Sequence, residues 1–170
     1  MAQPADIAPT TWALGFDHAG FPLATHLREL LVGRGDTVIT FGPHSPTPPV
    51  DYPEFCIAAA GCVAEGAADW GIVVGGSGQG EQIAANKVRG VRAALCTAPE
   101  YAELARRHND ANVLALPGRF VAPEYAEMIL DRWIATDFEA GRHVARLALI
   151  DRYERGDLVV QLDAWPERRR

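Results

Sequence analysis

The sequence predicts an α/β fold: a single domain built as a three-layer sandwich, with a five-stranded parallel sheet between helices in the Rossmann-like manner. Three observations carry that expectation. Short apolar runs alternate with amphipathic segments along most of the chain, the rhythm of βα units. One of those runs breaks into glycines at 75, 76, 78 and 80 before a helical pattern resumes. The chain has 170 residues, 48% hydrophobic and 22% charged, which suits one domain with a full core.

The elements follow in order. Residues 11–16 form a first strand, and 23–33 a helix with leucines at 23, 27, 30 and 31. A second strand, 37–41, leads into a stiff proline-rich loop at 43–49 and a helix over 52–65. Residues 70–74 form the strand before the glycine loop, 91–96 the next, and 111–116 the fifth. Helices are expected at about 81–88, 99–108 and 123–135. Strands separated by helices imply a parallel sheet covered on both faces, with ligands at the carboxyl ends of the strands, where the candidate residues are expected to cluster. Residues 138–155 make a further helix that docks elsewhere. Residues 1–9 are expected to be a disordered extension, 10–156 the domain, and 157–170 a tail.

Charge and composition narrow the functions. Twenty-two acidic against 16 basic residues give a net charge of −6, which argues against general nucleic-acid or membrane-surface binding. The three arginines at the carboxyl end are too few to make a nucleic-acid arm. No stretch approaches a membrane span, no signal sequence is evident, and Cys56, Cys62 and Cys96 have the apolar neighbours of reduced core thiols. The expectation is a cytoplasmic protein.

The glycine loop is the strongest functional signal. Glycine lets backbone amides approach a ligand, and the following helix start adds unpaired N–H groups. A dinucleotide fingerprint would want glycine where Glu81 stands, and a P-loop would end in Gly-Lys followed by Ser or Thr; neither is present. Glu81 instead places a possible base beside possible oxyanion donors, Ser77 and the amides of Gly76, Gly78 and Gly80.

Other residues gain weight from this loop. Asp17 and His18 end the first strand, where Asp17 could equally cap the next helix and His18 pack beneath it. His108 and Asn109 precede the fifth strand; they could handle protons on a hydroxylated substrate, or simply finish a helix whose Arg and His favour its negative end. Arg119 follows the fifth strand, and Arg142 and Arg146 lie four apart on one helix face, able to grip one anion together. A base, enediolate donors, acid–base help and a phosphate handle are what a proton shift between adjacent carbons requires. No metal-ligand spacing is present, so no metal and no cofactor are expected.

The motifs at 15–21, Asp51-Tyr52-Pro53, 75–87, 108–112, Gly118-Arg119 and Arg142-His143 together resemble the type B ribose-5-phosphate isomerase family over residues 12 to 155. The resemblance implies a metal-free aldose–ketose isomerase working through a cis-enediol, with sites shared between the two subunits of a homodimer that could pair into a tetramer. One branch of the family uses a cysteine base at the position held here by Gly75. This chain resembles the other branch, so Glu81 inherits the base role, with Ser77 and the loop amides on the enediolate. Asp17 and His108 resemble the ring-opening pair, Asn109 a hydroxyl partner, and His18, Arg119, Arg142 and Arg146 the phosphate grip. The implied reaction joins D-ribose 5-phosphate and D-ribulose 5-phosphate. The alternatives are a tetrulose 4-phosphate or hexose 6-phosphate isomerase and, from another class, a non-catalytic sugar-phosphate sensor. Pro22-Leu23-Ala24, Gln79 and Pro117 depart from the family pattern without removing a chemical group.

Overall fold

The structure, a computed structural model, describes residues 9–158; the expected N-terminal extension and C-terminal tail lie almost wholly outside the described residues. Five parallel strands, β1 (Thr11–Phe16), β2 (Thr37–Phe41), β3 (Trp70–Gly75), β4 (Ala93–Leu95) and β5 (Val113–Pro117), lie in the order β2-β1-β3-β5-β4. The helices are α1 (Phe21–Gly33), α2 (Tyr52–Ala64), α3 (Gln79–Ala85), α4 (Pro99–Asn109), α5 (Pro123–Ile134) and α6 (Arg142–Glu154). The strand order reverses between β1 and β3. At such a switch point the loops leaving the two strands diverge and open a crevice at their carboxyl ends.

The boundaries moved where local chemistry overrode periodicity. Helix α1 starts at Phe21 because Pro22, with its fixed φ, suits a first turn. Strand β4 is an edge of three residues rather than six. Pro117 closes β5 because β4 pairs only as far as Ala115, so no strand faces the N–H that proline lacks. Helix α6 starts at Arg142, since Ala140 and Gly141 take positive φ before it.

The two faces of the sheet are packed differently. Helices α1, α4 and α5 cover one with large side chains, among them Trp12, Leu14, Leu27, Ile72, Leu114, Ile129 and Trp133. Helices α2 and α3 cover the other largely through alanines, including Ala13, Ala59, Ala60, Ala84, Ala85 and Ala115. A Cβ on Gly15 would lie 2.7 Å from the Phe55 carbonyl, so α2 sits close against β1. That close packing carries Tyr52, at the start of α2, to the glycine loop. Cys56 and Cys96 are buried and unpaired, Cys62 partly buried and unpaired, as expected.

Candidate active site

The crevice between β1 and β3 is where the first group of residues meets. Asp17 follows β1, is 6% exposed, and its Oδ1 accepts hydrogen bonds from the amides of Ala19 at 2.9 Å and Gly20 at 2.8 Å. It therefore shapes the turn into α1, although it does not cap the helix, whose N-cap is Gly20. Across the crevice, Gly75 ends β3 and the chain turns through Gly78, at φ +74°, into α3. A Cβ at Gly78 would lie 3.0 Å from the Leu116 carbonyl, and the amides of Gly118 and Arg119 donate to the carbonyls of Gly75 and Gly76 at 2.8 and 3.1 Å. The loop is thus held from β5 as well as from β3.

Glu81 stands in the first turn of α3 and is 4% exposed. A Cβ on Gly75 would sit 1.7 Å from its Oε1. The carboxylate occupies the space that any side chain at position 75 would claim, so a cysteine there would require the Glu81 side chain to turn aside. Burial, and next the nearby Asp17, raise the Glu81 pKa, while its own amide and that of Gly78 partly oppose the shift. Ile83, two residues on, is 59% exposed and adds little to that burial, whereas the carboxylate itself sits tightly beside Gly75. Cys56 beneath is inert: burial, Glu81 and Asp17 all push its thiol pKa up.

A cavity of about 470 Å³ opens over these groups, lined by Asp17, His18, Ser77, Gly76, Gly80, Glu81, Arg119, Tyr52 and Phe120 among others. His18 Nδ1 lies 3.1 Å from the Val50 carbonyl, so the end of the proline-rich loop orients its ring. Arg119 passes within about 3.3 Å of where a Gly76 Cβ would be. Tyr52 and Phe120 were not identified as site residues from sequence. Gly80 admits the Tyr52 ring, since a Cβ there would lie 2.6 Å from it.

The expectation that all candidates gather at the carboxyl ends of the strands fails for four of them. His108, Asn109, Arg142 and Arg146 do not line this cavity. The reason is topological: in a parallel sheet each helix runs back, so the carboxyl end of α4 lies at the amino end of β5. The turn there is made by Asp110, at φ +42°, rather than by Asn109. Asp110 is gripped by Arg106 and Arg92, each at 3.0 Å, and Arg106 is itself buried between the rings of Trp70 and Trp133. From that anchored turn His108 stacks on His143 of α6, with centroids 4.4 Å apart and planes 9° apart. Arg142 and Arg146 are exposed at the amino end of α6, which has no acidic residue in its first turn. Cations at that end of a helix oppose its dipole and suit an incoming anion. Asn109 is exposed beside a groove shared with Leu147 and Ile150.

Among the described residues, His108, Glu139 and His143 are the one trio that could approach a common metal ion. Their arrangement does not suit one. Stacked imidazoles hold their lone pairs in parallel planes, so one ion cannot lie in both, and Glu139 is already bonded to Arg107 at 2.8 Å.

The family model described as Ribose/Galactose Isomerase matches residues 12–150. Ribose-5-phosphate isomerase B of Escherichia coli is 44% identical over 142 residues, covering 84% of this chain and 95% of that protein. Among solved structures, the Clostridium thermocellum ribose-5-phosphate isomerase B aligns with a TM-score of 0.83 at 43% identity, over 86% of this chain and 98% of that one. Ribose-5-phosphate isomerase B from Mycoplasma genitalium, solved with bound ribulose-5-phosphate, aligns with a TM-score of 0.82 at 38% identity, over 85% and 96% of the respective chains.

Proposed function

The chain belongs to the ribose/galactose isomerase family, and from that premise we propose that it interconverts D-ribose 5-phosphate and D-ribulose 5-phosphate with Glu81 as the base. The observation that carries this reading is the buried Glu81 carboxylate seated against Gly75, between Asp17 and the glycine loop. Asp17 and His108 open the furanose ring. Glu81 then takes the C2 proton of the open aldose and returns it to C1, while Ser77 and the loop amides hold the negative charge that develops on oxygen in the cis-enediol. His18, Arg119, Arg142 and Arg146 hold the phosphate, which fixes the substrate at its far end and offsets the repulsion of a chain with net charge −6. No metal or other cofactor has a part in this scheme.

Two groups of site residues at opposite edges of one sheet support a homodimer in which each site is completed across subunits, with His108, Asn109, Arg142 and Arg146 of the partner subunit reaching the glycine loop. Exposed Val144, Leu149 and Ile150 on α6 give the apolar cover such an interface needs. No helix of the described residues is long and apolar enough to cross a membrane, and we place the enzyme in the cytoplasm.

The test is a panel of aldose and ketose phosphates of four to six carbons, assayed for interconversion. Ribose 5-phosphate is expected to have the highest kcat/KM. A preference for a tetrose or hexose phosphate would reassign the substrate, and binding without any turnover would make the protein a sensor.

A further inference from the structure

His143 has no part in the chemistry above, yet it is 4% exposed and lies face to face with His108. We propose that His143 is a positioning residue for ring opening, an aromatic platform that sets the plane of His108. The proposal rests on the assignment of His108 to ring opening.

The geometry supplies the first half of the argument. His108 ends α4 and His143 is the second residue of α6, so the stack joins two elements and fixes the ring that would otherwise turn freely on a half-exposed helix end. Ring opening breaks the bond from C1 to the ring oxygen, moves a proton from the anomeric hydroxyl to a base, and delivers one to the ring oxygen. The transfer that His108 makes needs its ring nitrogen held in line with a sugar oxygen, and misplacement by about 1 Å can cost on the order of 10²-fold.

Charge supplies the second half. The groups facing the pair are Arg142 and Arg146 on α6, Glu139 in the preceding loop, and Arg107 on α4, which is bonded to Glu139 at 2.8 Å. Burial, then His108, Arg142 and Arg146, lower the His143 pKa, and Glu139 only partly opposes them. Glu139 Oε2 lies 3.8 Å from His108 Nε2. These causes keep charge off the buried His143 ring, so that it meets His108 as an aromatic face rather than as a second cation.

The experiment uses the fact that a pentulose 5-phosphate cannot close a five-membered ring, because its O5 carries the phosphate. Conversion of ribose 5-phosphate requires ring opening, whereas exchange of the ribulose 5-phosphate C1 proton with deuterated solvent does not. His143→Ala is expected to lower kcat for ribose 5-phosphate by about 10- to 100-fold, because the ring-opening group loses its alignment. Exchange at C1 of ribulose 5-phosphate should stay within about twofold of wild type, since the enediol chemistry at Glu81 keeps its own alignment. His143→Phe keeps the aromatic plane and should recover most of the loss. Equal losses in both assays, no loss in either, or failure of His143→Phe to recover would each overturn the proposal. His108→Asn serves as the reference. If it fails to separate the two assays, the ring-opening assignment itself is wrong; if it separates them and His143→Ala does not, only the role of His143 falls.

Discussion

The glycine-loop region and the α4–α6 region are built on opposite terms. Around Glu81 the working groups are buried, acidic and held by backbone: Asp17 is bound by two amides, Glu81 fills the space beside Gly75, and the loop is tied to β5. Around α6 they are exposed, cationic and carried on long side chains at the start of a helix that lacks first-turn acids. The contrast separates two tasks. Proton transfer needs a dry, fixed environment that raises a carboxylate's pKa, whereas capture of an anion needs charge that water can reach until the substrate arrives.

The largest effect should come from breaking the first region. Glu81→Gln keeps shape but removes the proton acceptor, so kcat is expected to fall by about 10²–10⁴ with KM little changed. Deuterium exchange at substrate C2 checks it, and wild-type exchange in that variant would falsify the assignment of the base.

The second region should give a different signature. Arg142→Ala should weaken phosphosugar binding by about 1.5–3 kcal/mol, seen in KM and in inhibition by inorganic phosphate. A change confined to kcat, with phosphate affinity intact, would remove Arg142 from the grip.

Mixing the two variants sharpens the comparison. In a C2 dimer with shared sites, half of the dimers formed from equal amounts of Glu81→Gln and Arg142→Ala chains carry one intact site, so activity should rise to about one quarter of wild type. If co-refolded mixtures show only the average of the two variants, each site lies within one chain.

Acid–base behaviour gives the smaller effects. Because the Glu81 pKa is raised, kcat/KM should lose its base as pH falls, with an acid limb above the ordinary glutamate value of about 4.3. The same shift has a stability side. A carboxyl whose folded pKa is raised stabilises the fold below its unfolded pKa, and that contribution is lost as pH rises through the folded value. At neutral pH the buried Glu81 carboxyl is therefore a burden, and Glu81→Gln should raise stability by about 0.5–2 kcal/mol in denaturant titration. A variant less stable than wild type at pH 7 would show that the loop amides outweigh burial.

Legibility followed locality. The βα rhythm, the glycine loop and the placement of Asp17 at the same edge as that loop were readable because they depend on short-range pattern and on strands ending at one edge. Tyr52 was not placed in the site, since its position depends on how closely α2 packs on β1 through Gly15 and Ala59. The arginines before His108 read only as cations at a helix end, yet the burial of Arg106 between Trp70 and Trp133 comes from residues 36 and 27 positions away along the chain.

By itself the sequence determined the fold class, the order of the elements and the chemical types of the site, because periodicity, glycine conformation and side-chain chemistry are local properties. Tertiary structure decided which of those residues meet. It decided the sign of the Glu81 shift, since desolvation depends on what fills the space beside Gly75. It also decided that His108, Arg142 and Arg146 stand apart from the glycine loop, because a helix between parallel strands must return to the opposite edge of the sheet.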